Sequence, residues 1–247
     1  MGNFWSSVAS RAEVSVDLDR AELRQVSLSL EDAARRQHVF SPDLLDAAMD
    51  VYREIRAGLK HHAPGDETYS VHRHLLAFSL WEAMNRKAMP RPPQMLAAAF
   101  DVSLKGFLKY EAHLAKGATY CAPAMYVPVI GRMLDAPYFW ISAAFMLCRA
   151  YGRRVFGARP ENVAAAGLLA VVHRAGEAET NEELTVQRVC GLVGASERAI
   201  LTLRDRLLAF DFEMHPNRDC SSPFRFKFQA KGPLLTPAYE LPSIGLP

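Results

Sequence analysis

The most constraining feature of the sequence is a pair of short helix-like segments that a glycine joins, between Leu184 and Leu207. The segment reads LTVQRVCGLVGASERAILTLRDRL. Thr185 and Ser196 stand where helix N-caps are expected, because their side-chain oxygens can accept hydrogen bonds from unpaired backbone N–H groups. Gly194 suits the turn between them, since glycine adopts positive φ without strain. This order predicts a helix-turn-helix, with an ordinary helical hairpin as the alternative.

Apolar residues recur at helical spacing on both sides of this turn. The positions expected to be buried are Val186, Val189, Cys190, Val193, Ile200, Leu203 and Leu207. Such spacing places side chains on one face of each helix and leaves the opposite face polar. The outward positions of the second helix are then Glu197, Arg198, Leu201, Thr202, Arg204 and Asp205. A helix that reads a DNA groove presents such a face, and so does an ordinary solvated helix.

The same order of segments occurs about 90 residues earlier in the chain. In both halves an Ala-rich apolar segment is followed by a polar loop, a short helix, a turn with a serine and a final helix. Ser103 and Ser196 are the matching serine caps. A period of this length is typical of a duplicated domain and is too long for a solenoid repeat.

The length and the repeat together predict an all-α body with two cores. The chain has 247 residues, half of them apolar, which is enough for two domains. We expect an N-terminal extension with a helix at 1–37, a first five-helix repeat at 38–118, a second repeat with the helix-turn-helix at 119–212 and a Pro-rich tail at 213–247. The tail segment FRFKF alternates and predicts one short strand or an extended strip. No strand is expected before Phe224.

Composition excludes several classes of protein. The formal net charge is only +2, so nucleic-acid binding must come from local patches rather than from a broadly basic surface. No apolar run approaches the roughly 20 residues of a membrane span, and we expect no membrane partner. The cysteines lack CxxC spacing, which predicts free thiols, a reducing compartment and no zinc site. They are Cys121, Cys148, Cys190 and Cys220.

Motifs for catalysis and metal binding are absent from the sequence. It contains no GxSxG, phosphate loop or HExxH motif, so we expect no enzyme and no cofactor. Four histidines lie near one another at positions 61, 62, 72 and 74. No cysteine or spaced carboxylate completes a metal-ligand set with them. We interpret them as belonging to the loop before the first Ala-rich helix and to the start of that helix.

The repeated segments resemble the tandem cyclin repeats of the transcription factor IIB core. In the first half the similarity lies in LLAFSLWEAMNRKAMPRPPQMLAAAFDVSLKGFLKY. In the second half it lies in PENVAAAGLLAVVHR and in the helix-turn-helix segment from Leu184 to Leu207. The resemblance covers about 40–212 and is spread over both repeats rather than concentrated in one signature. It implies two five-helix cyclin-like folds in a divergent member of the family.

The resemblance implies an adaptor of transcription initiation in the nucleus. Cores of this family hold the TATA-binding protein on promoter DNA and help to recruit RNA polymerase II into the preinitiation complex. Their N-terminal zinc ribbon requires paired CxxC motifs, which this chain does not contain, so we expect no zinc here. We also expect a monomer. The alternatives are a cyclin-class subunit that regulates a protein kinase and a structural helical module without a nucleic-acid partner.

The resemblance also assigns candidate contact residues. Lys105 and Lys109 match basic positions that contact the TATA-binding protein. The resemblance places an arginine cluster near the DNA, formed by Arg149, Arg153, Arg154 and Arg159. With the arginines of the helix-turn-helix, the expected DNA contacts are Arg149, Arg153, Arg154, Arg188, Arg198 and Arg204. Arg198 and Leu201 occupy positions where the family has a base-contacting valine and arginine, so base reading stays open. Phosphate contacts need only a cation that faces the DNA backbone.

Overall fold

The protein is an all-α body followed by a small β-hairpin. The computed structural model describes residues 20–59, 69–114, 120–152, 155, 157–175, 185–210, 212–216 and 224–228. These ranges contain ten helices and two strands, which confirms the expected all-α body. Within the same ranges, no helix combines the length and the apolar character needed to cross a membrane.

The first half contains five helices around one core. They are α1 (Arg20–Arg36), α2 (Pro42–Leu59), α3 (Tyr69–Arg86), α4 (Pro93–Ala99) and α5 (Leu104–Leu114). Helix α1 packs against α2, α3 and α4 and contributes Val26 and Leu30 to this core. The helix expected in the N-terminal extension therefore shares its core with the first repeat. The described residues of 38–118 hold four helices rather than the expected five, and the extension helix is the fifth member of this core.

Helix α3 is the central helix of the first half. Every residue of its run from Leu75 to Trp81 is buried, including the one polar residue, Ser79. The Trp81 ring packs edge-on against Phe107 of α5, with ring centroids 6.1 Å apart. A helix that is apolar all round must lie inside the protein, and this part of α3 does so.

The second half repeats the order of helices. They are α6 (Pro123–Met133), α7 (Tyr138–Tyr151), α8 (Pro160–Ala175), α9 (Val186–Val193) and α10 (Glu197–Leu208). Helix α8 is buried from Val163 to Val172, and α6, α7 and α10 pack around it. Gly167 allows α7 to cross α8 closely, because an added Cβ would lie 2.5 Å from the Cys148 sulfur. This core is separate from the first.

The short helices α4 and α9 end in the same way. Asp101 and Gly194 follow them with φ of 53° and 69°, in the left-handed region that Gly and Asp tolerate best. Ser103 and Ser196 come two residues later, and each accepts a hydrogen bond from the backbone N–H three residues on, at 3.0 and 3.3 Å. The Gly194 turn and the two matching serine caps are therefore confirmed.

Removing either cap should destabilise the protein. We expect Ser103→Ala and Ser196→Ala each to lower the free energy of unfolding by about 1 kcal/mol, because each leaves a backbone N–H at a helix start without its acceptor. Urea unfolding monitored by circular dichroism measures this. The control is Ser29→Ala in the middle of α1, where alanine is the better helix former. A loss at Ser29 equal to those at the two caps would contradict the capping role.

A two-stranded antiparallel hairpin follows α10. Strand β1 (Phe212–Pro216) pairs with β2 (Phe224–Phe228), with Phe212 opposite Phe228, and β2 lies against α7. The strand expected at FRFKF is confirmed. The expectation that no strand precedes Phe224 was wrong. The segment FEMHP is a short alternation that ends in proline, and its backbone is stabilised as a strand by pairing with β2.

The two halves meet along α3, α4 and α9. The Tyr126 hydroxyl of α6 donates a hydrogen bond to the Asn85 side-chain oxygen of α3 at 3.3 Å. Helix α9 packs against α4, and a Cβ added to Gly194 would collide with Leu104 at the start of α5. The turn between α9 and α10 therefore lies directly against the first half, which positions the helix-turn-helix relative to α5.

Candidate nucleic-acid interface

The α9–α10 pair forms a tight helix-turn-helix with the expected caps. Thr185 accepts a hydrogen bond from the Arg188 backbone N–H at 3.3 Å and begins α9. Six of the seven side chains that were expected to be buried are buried; they are Val189, Cys190, Val193, Ile200, Leu203 and Leu207. Val186 is only half-buried. The local structure of this motif is thus the one that its sequence predicts.

The outer face of α10 is less open than expected. Glu197, Arg198, Thr202 and Asp205 are exposed, whereas Leu201 and Arg204 are half-buried. The Arg204 guanidinium donates to the Asp205 carboxylate at 2.7 Å, so its charge is already matched. Among the described residues no carboxylate pairs with Arg198. Arg198 is therefore the best candidate on this face for an anionic partner.

Arg149 and Arg198 belong to different helices of the second half. It is exposed in the last turn of α7, close to Tyr151, whose ring stacks on Phe210 just after α10 at a centroid distance of 4.4 Å. Arg149 is thus near the C-terminal end of α10, and Arg198 is in its first turn. Arg149 and Arg198 thus stand towards opposite ends of α10, a helix of 12 residues that is roughly 18 Å long at 1.5 Å per residue.

The remaining expected arginines differ in their surroundings. Arg188 is exposed in the first turn of α9 and pairs with Asp135, between α6 and α7, at 3.8 Å. Arg153 and Arg154 lie outside the described residues. An exposed pair of this kind is weak and opens readily, so Arg188 can still exchange its carboxylate for a phosphate.

Lys105 and Lys109 lie on the exposed side of α5. They are one helical turn apart, and both side chains are exposed, while Phe107 between them is buried. Lys105 directly follows Leu104, the residue that meets the Gly194 turn. The contact between the Gly194 turn and Leu104 therefore has the two lysines on one side and Arg198 on the other. The lysines are expected to face a protein partner, and Arg198 is expected to face DNA.

Arg159 is a structural cation rather than a surface contact. Its guanidinium donates to both carboxylate oxygens of Glu111 at 2.8 and 3.2 Å and also to Glu161. The Tyr120 hydroxyl donates to Glu111 at 3.1 Å. Glu111 and Glu161 are almost inaccessible to solvent, and burial raises the pKa of Glu161 even though Arg159 lowers it. This cluster joins α5 to the start of α8 across the halves.

Two further arginines were not found from the sequence. Arg91, in the loop between α3 and α4, is half-buried, and Arg132 is exposed in the last turn of α6. Burial lowers the pKa of Arg91, and the charge of Arg132 lowers it further. The two lie about 40 residues apart in different halves, so no local pattern brings them together.

The histidines form no metal site in the part of the chain that the structure describes. The Nδ1 atom of His72 lies 3.3 Å from the Tyr52 hydroxyl, which donates to Glu22 at 3.3 Å. Burial lowers the pKa of His72 and raises that of Tyr52 to about 12. These groups link α1, α2 and α3. Within the described residues no three His, Cys, Asp or Glu side chains cluster closely enough to hold a metal; His61 and His62 lie outside them.

No protein-family model matches the sequence, and no curated protein is significantly similar to it.

Proposed function

We propose that this chain is a transcription-initiation core of the transcription factor IIB type. It would bridge a TATA-binding-protein-like factor and promoter DNA in the nucleus and so help to recruit RNA polymerase II. The observation that carries the proposal is the repeated helix-turn-helix end of each half. A left-handed residue and a capping serine follow α4 at Asp101 and Ser103, and they follow α9 at Gly194 and Ser196.

The architecture supports tandem cyclin-like repeats. Within the residues that the structure describes, each half has five helices, a buried third helix and a short fourth helix. The buried third helices are α3 and α8, and the short fourth helices are α4 and α9. Duplication of one domain accounts for all of these shared details.

The surface chemistry of the second half supports a nucleic-acid partner. Between Tyr120 and Phe210 the chain has arginines but no lysine, and arginine is the cation that binds phosphate in a two-pronged geometry. Arg149, Arg188 and Arg198 are exposed on α7, α9 and α10. Contacts of this kind give affinity through counterion release and need no base reading. The proposal therefore expects backbone binding by the second half.

A binding assay with the two expected partners tests the proposal. The protein is mixed with TATA-box DNA and TATA-binding protein, and the complexes are separated by native gel electrophoresis. We expect a slower complex that contains all three components and dissociates steeply with added salt. Absence of that complex, together with co-purification of a protein kinase from cells, would favour the cyclin-class alternative and overturn the proposal.

Reversal of charge on α5 should affect the protein partner selectively. We expect Lys105→Glu combined with Lys109→Glu to weaken the three-component complex by about tenfold or more, because both lysines would then repel an acidic partner surface. Binding to DNA alone should change less than about twofold. The matched control is Lys87→Glu, an exposed lysine after α3. Equal weakening of both complexes would contradict a division of roles between the halves.

A further inference from the structure

We propose that a cavity between the two halves binds a small neutral molecule that has a carboxamide group on an apolar body. The cavity has a volume of about 530 Å³, which lies within the usual range of ligand pockets. Its walls come from α5, from the connection between α5 and α6, and from the ends of α6, α7 and α8 that meet there. The inference is independent of the proposed function.

The polar part of the cavity wall consists of Glu111, Arg159 and Tyr120. The half-buried Arg159 guanidinium donates three of its five N–H groups to Glu111 and Glu161. Within the residues that the structure describes, its other two N–H groups have no acceptor. The Tyr120 hydroxyl donates its hydrogen to Glu111 at 3.1 Å, so its oxygen can still accept one. The wall therefore offers a ligand two donors and one acceptor.

The charges around the cavity favour a neutral ligand. Glu111 and Glu161 are almost inaccessible to solvent and share the single Arg159 guanidinium. An anion would bring a third negative charge beside these carboxylates, and a cation would face the guanidinium; like charges at such short range are unfavourable. A carboxamide avoids both conflicts. Its carbonyl oxygen can accept from Arg159, and its N–H can donate to the Tyr120 oxygen.

Most of the remaining wall is apolar. It is formed by Pro123 of α6, by Val155 and Ala158 between α7 and α8, and by Pro160 and Val163 of α8. A ring or a short aliphatic body would bury apolar surface against these side chains, which supplies affinity, while the few polar groups fix its orientation. A carboxamide on an apolar body therefore matches both parts of the wall.

Titration of the whole protein with three related probes tests the ligand class. The probes are benzamide, benzoate and benzylamine, which share one ring and differ in charge, and saturation-transfer NMR measures their binding. We expect benzamide to bind with a dissociation constant of about 1 mM, because it is small. It should bind about tenfold more tightly than either charged probe, because each of those meets a like charge. A charged probe that binds as tightly as benzamide would overturn the neutral class, and a benzamide that does not bind would overturn the site.

A cavity-filling variant shows whether benzamide binds in this cavity. Ala158→Phe places a ring in the cavity and should weaken benzamide binding about tenfold or more, because the apolar wall is then occupied. The matched control is Ala98→Phe, at an exposed position of α4 in the first half, which should bind like wild type. Melting temperatures show whether each variant is folded. Unchanged binding by a folded Ala158→Phe variant would overturn the site.

A second variant keeps the test decisive if Ala158→Phe does not fold. Tyr120→Phe removes the oxygen that accepts from the carboxamide and should weaken benzamide binding about fivefold. Its matched control is Tyr138→Phe, since Tyr138 is exposed at the start of α7 and should not affect binding. Equal benzamide affinities for the two phenylalanine variants would overturn the assigned hydrogen bonds and, with them, the site.

Discussion

Replacement of Arg159 by glutamine should lower the free energy of unfolding by about 3 kcal/mol, because it leaves two buried carboxylates without their cation. Glu111 and Glu161 have side chains only 5% and 2% exposed, whereas that of Arg159 is 32% exposed. Solvent reaches the Arg159 side chain but not the two carboxylates, so the negative charges of Glu111 and Glu161 are balanced by Arg159 rather than by water. Since Glu111 belongs to α5 and Glu161 to α8, the loss should also weaken the junction between the halves.

The loss should depend on pH in a defined direction. Burial raises the pKa of Glu161, and Arg159 opposes that rise, so removal of Arg159 should raise this pKa further. A carboxyl whose pKa is raised by folding favours the folded state below its unfolded pKa and loses that contribution as the pH rises through the folded value. The difference in unfolding free energy between wild type and the variant should therefore shrink as the pH falls from 7.5 towards 5.

Urea unfolding at the two pH values measures both effects. The matched control is Arg53→Gln, which breaks an exposed pair with Asp50 and should change stability by less than about 1 kcal/mol. Arg159→Lys keeps the charge but not the two-pronged hydrogen bond, so it should lie between wild type and the glutamine variant. A glutamine variant that is no less stable than Arg53→Gln at pH 7.5 would refute a structural role for this cluster.

Features of the fold that depend on local physics could be predicted from the sequence. The caps at Thr185 and Ser196, the turn at Gly194 and the buried faces of α9 and α10 each follow from residues within one or two helical turns. Hydrophobic periodicity and N-cap chemistry operate over that range. The internal repeat extended the same reasoning to Ser103, whose cap is also observed.

Features that depend on contacts between distant segments could not be predicted. Arg159 resembles its neighbours in the arginine-rich loop, and only the fold places it between Glu111 and Glu161. Arg91 also carries no local signal, because the Gln37 carbonyl oxygen that its guanidinium contacts lies 54 residues away in the sequence. Strand β1 was missed for the same reason, since its partner begins eight residues after it ends. The ion-pair partner of a charged residue and the pairing partner of a strand are thus tertiary properties that a single sequence does not reveal.

Replacement of Gly167 by alanine should lower the free energy of unfolding by about 2 kcal/mol, although alanine is the better helix former. The new methyl group would lie 2.5 Å from the Cys148 sulfur, at the crossing of α7 and α8. Cys148 is itself buried and its sulfur lies 3.7 Å from the Val163 carbonyl oxygen, so either the packed thiol must rotate into other core atoms or the helices must separate. That separation loosens the packing of α8 against the rest of the second core.

Two further variants make the steric cause testable. Gly191→Ala on α9 is the control, because nothing lies within 4 Å of a Cβ added there and the change should raise the free energy of unfolding by roughly 0.5–1 kcal/mol. Cys148→Ala removes the sulfur that collides with Ala at position 167. In the double variant the two alanines fit together, so the loss should be smaller than the sum of the single losses. If the loss in the double variant equalled the sum of the two single losses, glycine would be needed at position 167 for a reason other than the close approach of α7.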